Sequence, residues 1–450
     1  MNGDVPPVPG LKQELGVSGL KPEGMGVFYQ APARRLLHLG ILEDSSYRAL
    51  LAAHQEPSSD EKEKSAQLKS ATEALLKAHD LDALARTTRE RARGATSETQ
   101  GVVDRAVATL EYFRDAALVR RGMKPEMSLE DIVPRSTGSS LESIDSEHLA
   151  QVQAELKAAL GVVLGRSVDA LPLHESLARF RQDPRLNFPQ SEVQRWFEER
   201  SLELEALTRE RILPALNLDV LGLDPSVTSF SRLNTNFVPG VYSLHLYTGT
   251  EVDGRPQFDG ELSIATGTAQ EPTLNDPLNS YTLAHEAFPG HHLHSTFLDA
   301  ATRKGILPSM SAFGVMPGPA LGLAEGWAMS APFALYPEEG MPPSIRVAMS
   351  ASYLGALGGL HAVRRRFLDK AEKEVVGGEL IMQFGAKPER VKSFLDLPRD
   401  FQMGYRPIYV TGIRAVMEAI RKYGLPGVAQ AILTPKSPID LNLFKQKFPV

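Results

Sequence analysis

The chain of 450 residues carries a formal net charge of −6 at pH 7, which gives no electrostatic reason to expect nucleic acid or an anionic membrane as a partner. Hydrophobic residues make up 42% and charged residues 23% of the sequence, the composition of an ordinary soluble globular protein. There is no cysteine, which excludes disulfides, thiol nucleophiles, iron–sulfur clusters and cysteine-bound zinc. Any metal must therefore be bound by His, Asp or Glu.

The first residues, "MNGDVPPVPGLKQELG", have neither the basic segment nor the apolar segment of a signal peptide. The sequence also contains no run of about 18 apolar residues that could cross a bilayer. We therefore expect a cytoplasmic protein without a membrane partner.

The part of the chain before residue 222 is predicted to be mostly helical. Residues 1–34 are rich in Pro and Gly and indicate an irregular arm. From 32 to 118, apolar residues recur at steps of three and four, which predicts helices. Residues 122–140 contain turn residues and show little periodicity, so we interpret them as a connector. Two further helices are predicted at 146–164 and 191–211.

The pattern changes after residue 222. The stretch "GVYSLHLYTGTEVDGRPQFDGELSIATG" combines aromatic and β-branched residues with DG and TG turns, which predicts a small hairpin or three-stranded sheet. Its last strand, 260–267, is either an edge strand that an extended peptide can join or an ordinary capped edge. Further helices are predicted at 343–374, 387–396 and 405–424.

The predicted fold class is therefore mainly α, with a small β-sheet element next to a His-rich helix. The length alone would allow two or three domain-sized units. We expect an N-terminal helical region at 1–222 and a catalytic region at 223–450, joined in one integrated fold.

The stretch "YTLAHEAFPGHHLHS", residues 281–295, begins like the H-E-x-x-H motif, in which two histidines one helical turn apart bind a metal. Four of the 11 histidines of the chain lie in this stretch. Where the second histidine of the motif belongs, the chain has Pro289. Proline donates no backbone hydrogen bond and its ring presses on the carbonyl of His285, so we predict a kink in the helix there.

This kink decides which histidine can be the second ligand. The spacing from His285 to His291 is that of the usual pair with two residues inserted, and a bulge at Gly290 that absorbs them would return His291 to the same face. In an ideal helix His292 faces the same way, but it lies roughly 10 Å along the axis. We therefore predict His291 as the ligand and His292 as its substitute, with His294 in a packing or supporting position.

A catalytic zinc site usually has two histidines, one carboxylate and an open position for water. The candidate carboxylate is Glu325 in "GLAEGWAMS", because small and apolar neighbours make an unpaired charge costly to bury. The alternative is an exposed glutamate at a helix start. Glu286, next to the first ligand, would then be the general base for a water whose pKa is lowered to about 7 by zinc.

The segment "HEAFPGHH", together with the upstream "TLNDPLNSYTLA" and the downstream "AEGWA", resembles the family known as domain of unknown function 885. The hallmark of that family is H-E-x-x-P-G-H-H followed by E-G-W-A, and the family resembles the gluzincins, largely helical zinc peptidases. The resemblance implies a multi-helix zinc-peptidase-like architecture. It also implies Zn²⁺ bound by His285, His291 and Glu325, with Glu286 as the base.

The family also has a Y-x-x-G before a helix near its C-terminus, which "YVTGIRAVMEAIRKYG" matches through Tyr409 and Gly412. Tyr409, or Tyr405 or Arg406 nearby, could stabilise the oxyanion of a tetrahedral intermediate. A tyrosine packed at a helix start is an equally good interpretation.

The chain departs from the family pattern in two places. His294 stands where the family usually has Gln. Of the family's R-x-x-V-D-T-G-x-H stretch, only His361 and Arg364 in "LGGLHAVRRRF" remain as candidates. These differences bear on the identity of the substrate more than on metal binding.

We therefore expect a zinc-dependent hydrolase that cleaves an amide in a peptide or small amide substrate, with a peptide bond as the leading candidate. Two alternatives stay open at this point. One is a metal-dependent enzyme that acts on a non-peptide biosynthetic intermediate, and the other is a catalytically inactive binding protein. The sequence determines neither the substrate nor the oligomeric state.

Overall fold

Most of the residues that can be described lie after residue 140. The computed structural model describes residues 90, 93, 111, 115, 118–119, 124–125, 127–137, 141–223, 233–239, 243–246, 250–252, 255–257, 260–266, 273–307, 319–396, 401–435 and 439–449. The arm predicted at 1–34 and nearly all of the helical region predicted at 32–118 lie outside these residues.

Helices make up most of this described part. In chain order they are α1 (Leu129–Thr137), α2 (Ser146–Leu164), α3 (Leu173–Gln182), α4 (Val193–Arg211), α5 (Asp276–Glu286), α6 (His291–Arg303), α7 (Pro319–Met329), α8 (Ala331–Leu335), α9 (Pro343–Phe367), α10 (Lys373–Phe384), α11 (Pro388–Leu395), α12 (Phe401–Tyr423), α13 (Leu425–Leu433) and α14 (Leu441–Lys447).

The strands are short and form small sheets. They are β1 (Asn187–Pro189), β2 (Leu233–Pro239), β3 (Ser243–Leu246), β4 (Thr250–Val252), β5 (Arg255–Gln257), β6 (Gly260–Thr266) and β7 (Thr273–Asn275). Strand β6 is the middle of a three-stranded sheet, parallel to β2 and antiparallel to β3. Strand β1 pairs with β7, and β4 pairs with β5, both antiparallel. The prediction of a mainly α fold with a small β element is confirmed.

Two details of the sequence interpretation are wrong. Residues 122–140 are not only a connector, because α1 lies within them; Leu129, Ile132 and Val133 are buried against Val363 of α9, and this packing stabilises a helix that the local pattern did not indicate. The strand predicted as an edge at 260–267 is β6, whose two sides are both occupied by hydrogen-bonded neighbours. The edges of this sheet are β2 and β3.

One apolar core includes residues from both sides of position 222. Trp196 and Leu204 of α4 belong to the same buried cluster as Phe297 of α6, Trp327 of α7 and Val416 of α12. Burial of large side chains of this kind is the main favourable contribution to folding. The helices α5, α6 and α7 contact one another beside this core, and their contacts create the site described next.

Helices α7 and α12 approach each other unusually closely. A side chain at Gly326 would collide with the backbone of Gly412, and a side chain at Gly412 would collide with the carbonyl of Gly322. Only glycine leaves room for two helix backbones at this separation. The Gly of the Y-x-x-G segment therefore holds α12 directly against the helix that carries Glu325.

Candidate metal centre

The helix α5 has a well-defined start, which sets the direction of its histidine. The side chain of Asn275 accepts a hydrogen bond from the backbone N–H of Leu278 and so caps the helix, and Pro277 stands in the first turn, where a missing N–H is harmless. Asp276 accepts hydrogen bonds from the indole of Trp196 at 2.6 Å and from the guanidinium of Arg200 at 3.2 Å. These contacts attach the start of α5 to α4.

The chain does more than kink at the Pro–Gly pair. Helix α5 ends at Glu286, and α6 begins at His291. The N–H of Gly290 donates to the carbonyl of Ala284 at 3.1 Å, and a side chain at Gly290 would collide with the carbonyl of His285. The turn therefore folds back onto the last residues of α5, which only glycine permits.

This turn brings the two histidines together. The rings of His285 and His291 are 4.7 Å apart between centroids and nearly perpendicular, at 89°. The Nε2 atoms face the same carboxylate oxygen, Oε2 of Glu325, at 3.5 Å from His285 and 3.3 Å from His291. One ligand atom from each of these three residues lies within 4.8 Å of the others.

The spacing of these atoms fits a zinc ion. Two ligand atoms about 2.0–2.1 Å from a tetrahedral zinc lie about 3.3 Å apart. The two His–Glu distances, 3.5 and 3.3 Å, agree with that separation. Glu325 is 3% exposed, so the alternative of an exposed glutamate at a helix start is wrong. Two imidazoles and one carboxylate are also a donor set that zinc prefers.

The position of Glu325 depends on a buried tryptophan two residues later. The indole N–H of Trp327 donates to the backbone carbonyl of Pro289 at 2.7 Å, and the Trp327 side chain is fully buried. This hydrogen bond joins α7, which carries Glu325, to the turn that carries His291. Together with the glycine contact to α12, it determines where the carboxylate lies.

Burial and close charges perturb the titration of the site. Burial, together with the charge of the neighbouring His291, lowers the pKa of His285 to about 4. Burial raises the pKa of Glu286 to about 7. Burial lowers the pKa of His291, but the charge and hydrogen bond of Glu325 outweigh it and raise the pKa to about 9. A dication at these ligands would compete with the proton on His291.

The other predicted histidines lie outside this group. His292, the substitute ligand, is 1% exposed, and its ring packs edge-on against Phe288 at 5.5 Å. His294 is buried, and its backbone N–H donates to the carbonyl of Gly290 at 3.1 Å. Among the residues that the structure describes, the group with metal-binding geometry contains His291 and neither of these two.

Glu286 lies beside the group. Its Oε1 is 3.9 Å from Nε2 of His285. A carboxylate at this distance is close enough to exchange a proton with a water molecule held near the histidines. The role of base nevertheless stays a prediction.

The structure does not bring the oxyanion candidates together. Tyr409 packs in an apolar cluster with Tyr281 and Met329. The guanidinium of Arg406 lies over the ring of Phe394 at 5.2 Å, on the side of α11. The side chain of Tyr405 lies outside the described residues. Their roles also stay predictions.

The two possible remnants in α9 have other contacts. His361 hydrogen-bonds Glu379 of α10 through Nε2 at 2.8 Å. Arg364 donates to the backbone carbonyl of Glu142 at 3.1 Å. Both contacts join α9 to neighbouring segments.

Two residues beside the site were not expected from the sequence. Trp327 belongs to the E-G-W-A segment, but no role was predicted for it. Tyr281 was not considered, although it stands four residues before His285 and so on the same helix face. Its hydroxyl is within hydrogen-bonding distance of the backbone carbonyl and the sulfur of Met329, at 3.3 and 3.0 Å, and it links α5 to α7.

None of the helices within the described ranges combines the length and apolar character that a bilayer-spanning helix needs. No family model and no curated protein matches the chain.

Two solved structures are similar in fold. One is a "putative lipoprotein" from Colwellia psychrerythraea, with a TM-score of 0.52 and 14% identity, covering 81% of this chain and 66% of that protein. The other is a "putative lipoprotein of unknown function" from Shewanella oneidensis, with a TM-score of 0.51 and 10% identity, covering 93% of this chain and 76% of that protein. At these identities the similarity concerns the fold.

The names of these two proteins contradict the cytoplasmic location that the sequence led us to expect. That expectation relied on missing apolar segments. A lipoprotein is held at a bilayer by acyl chains and needs no spanning helix, so the absence of one carries no information about location. The expectation of a cytoplasmic protein is therefore withdrawn.

Proposed function

We propose that this protein is a zinc-dependent hydrolase that cleaves an amide bond, with a peptide bond as the leading candidate. The observation that carries the proposal is the convergence of Nε2 of His285 and Nε2 of His291 on one oxygen of the buried Glu325, at 3.5 and 3.3 Å. A deeply buried carboxylate is favourable beside a positive charge, and two histidine Nε2 atoms at this spacing are suited to share a metal ion with it.

The residues of the site have different roles in the proposed reaction. Zinc at the three ligands would act as a Lewis acid toward the substrate carbonyl and lower the pKa of water. His285, His291 and Glu325 would bind the zinc ion and so set its position relative to Glu286. Glu286, whose Oε1 is 3.9 Å from Nε2 of His285, takes a proton from the attacking water and returns it to the leaving amine.

A peptide is favoured as substrate by the sheet beside the site. Strand β3 contacts α6, the helix that begins with His291, and it is an edge of its three-stranded sheet. An extended peptide can add to such an edge through main-chain hydrogen bonds. The lipoprotein names of the similar structures favour a secreted or membrane-anchored enzyme.

The test is the metal content of the purified protein, measured by elemental analysis. We expect about one zinc per chain in the wild type, as for a site with three protein ligands. His285→Ala and Glu325→Ala should each lose it. His174→Ala is the matched control, because His174 is a partly buried histidine of α3 outside the metal group, and it should keep the metal.

The outcomes separate the competing interpretations. Zinc in the wild type together with cleavage of peptides supports the proposal. Zinc together with cleavage of only non-peptide amides or esters supports an enzyme acting on another intermediate. A wild type that contains no zinc and takes up none on reconstitution would sink the hydrolase proposal and leave a binding protein.

A further inference from the structure

A second candidate site lies in an open cavity of about 450 Å³. It is formed where the end of α4, helix α8 and the junction between α12 and α13 meet. Its walls include two arginines, two aromatic rings and aliphatic side chains, namely Arg211, Phe333, Tyr336, Ile420, Arg421 and Leu425. None of the residues of the candidate metal centre lines it, so the cavity is independent of the proposed hydrolase site.

Arg211 is in an unusual position for a cation. It is half-buried at the last residue of α4, and its Nε is fully buried without a hydrogen-bond partner. Within the described ranges its guanidinium forms no ion pair. Burying this N–H without an acceptor costs free energy, while the rest of the half-exposed guanidinium lines the cavity. A cation held in this way is poised for an anion that comes from outside the chain.

The second arginine and the aromatic wall add shape to this charge. The guanidinium of Arg421 lies over the ring of Phe333, 5.3 Å from its centroid. This contact orients the guanidinium in advance, which reduces the entropy lost when a ligand binds. Leu425 and Ile420 complete an apolar surface next to the two cations.

The carboxylates that act on Tyr336 do not neutralise the cavity. Glu203 and Asp276 are the carboxylates that affect Tyr336, and burial together with their charges raises its pKa. Both carboxylates are already paired with Arg200. Arg200 offsets one of these two negative charges, so the two carboxylates together with Arg200 and the two arginines of the cavity wall leave a net positive charge at the cavity.

We propose that this cavity binds a small organic anion, specifically a carboxylate that carries an aromatic or branched aliphatic group. The planar guanidinium of Arg211 would take the carboxylate through paired hydrogen bonds. The apolar group would pack against Phe333 and Leu425. The volume lies in the range of known small-molecule sites, about 300–1,000 Å³.

The test compares two probes that differ only in charge, 3-phenylpropionate and its neutral amide, by isothermal titration calorimetry with the full chain. We expect the wild type to bind the acid about tenfold more tightly or better, the factor that corresponds to one hydrogen bond to a charged group. Arg211→Gln should lose this preference. Arg195→Gln, on the exposed side of the same helix, should keep it.

A further variant excludes binding at the metal centre. A carboxylate can also bind zinc, so the preference for the acid is measured again in Glu325→Ala. It should be unchanged there, because the cavity shares no residue with the metal group. Loss of the preference in Glu325→Ala, with Arg211→Gln unaffected, would place the probe at the metal centre and overturn the proposal.

The melting temperature of Arg211→Met supplies a readout that does not depend on the probe. Because Arg211 is held without a partner, its replacement by an apolar side chain of similar length should leave the melting temperature equal or higher. The acid should raise the melting temperature of the wild type only. A lower melting temperature in Arg211→Met would show that the guanidinium stabilises the C-terminal end of α4. That result, or equal binding of acid and amide by the wild type, would overturn the proposal.

Discussion

Among the residues that the structure describes, two clusters combine histidine with glutamate, and they differ in the source of the positive charge beside the carboxylate. In the candidate metal centre the side chain of Glu325 is 4% exposed, and its Oε2 lies 3.5 and 3.3 Å from Nε2 of His285 and His291. Between α9 and α10, Glu379 is 22% exposed and accepts hydrogen bonds from Arg365 at 2.9 and 3.1 Å and from His361 at 2.8 Å.

The difference shows that residue types alone do not make a metal site. Arg365 supplies a permanent charge and two donors, so Glu379 is already satisfied and its pKa is lowered, chiefly by this hydrogen bond. At Glu325 the positive charge comes from a proton on His291, which a metal ion can displace. Of the two clusters, the one around Glu325 has the geometry that could hold a metal ion.

The largest expected effect is a loss of turnover on replacing Glu286, which lies beside the candidate metal centre, compared with replacing Glu379 of the other cluster. Glu286→Gln should reduce turnover of a cleaved substrate by about 10²–10⁴-fold, because the amide cannot accept the proton of water. Its zinc content should equal that of the wild type. Glu379→Gln is the matched control and should leave turnover unchanged. Equal turnover in Glu286→Gln would remove this residue from the reaction.

Zinc binding should stabilise the protein through only one of the clusters. A ligand that binds the folded state alone adds about 2.7 kcal/mol when its free concentration is a hundred times Kd. We therefore expect added zinc to raise the melting temperature of the metal-stripped wild type by several degrees. Glu325→Ala should show no rise, whereas His361→Asn should respond like the wild type. A zinc-dependent rise that His361→Asn abolishes would reverse the comparison.

The Trp327 contact should matter for affinity more than for folding. Trp327→Phe removes the hydrogen bond to the carbonyl of Pro289 and keeps most of the buried ring. We expect zinc affinity, measured by competition with a chelator, to fall by up to about the 10–100-fold that follows loss of a direct hydrogen-bond partner of a metal ligand, because this contact acts on the ligands only through the backbone. Trp196→Phe, which removes a hydrogen bond to Asp276 at the other end of α5, is the control. An equal loss in both variants would indicate a general loosening of α5.

The smallest expected effect is the acid sensitivity of the arginine-bound cluster. The folded-state pKa of Glu379 is lowered from its ordinary value of 4.5, so its ion pair contributes stability above that value. The contribution is lost as the pH falls through the folded-state pKa. Because water screens this partly exposed pair, Glu379→Gln should lower the free energy of unfolding at pH 7 by only about 0.2–1 kcal/mol. Urea unfolding should show that difference disappear in acid, and a difference that persists there would contradict the assignment.

Several features could be predicted from short stretches of sequence. The helices α2 and α4 follow from apolar spacing within each segment. The grouping of His285 with Glu325 follows from the cost of burying a carboxylate among apolar neighbours. These inferences needed only neighbours in the chain.

Other features could not be predicted, because their causes are distant in sequence. Helix α1 exists because its apolar residues meet Val363, more than 200 positions away. The middle position of β6 depends on which strands pair with it, and local patterns do not encode partners. The direction of Arg406 toward Phe394 follows from the packing of α12 on α9 and α11.

The sequence by itself determined a mainly helical protein and the residues from which a metal centre could be assembled, because helix periodicity and ligand chemistry are local properties. The sequence favoured His291 over His292 as the second ligand, and the tertiary structure decided that His291 lies next to Glu325. That choice depends on how the chain folds back at Gly290 and on the hydrogen bond from Trp327 to Pro289. It also decided that Arg211 and Arg421 share one cavity, since two helices far apart in the sequence bring them together.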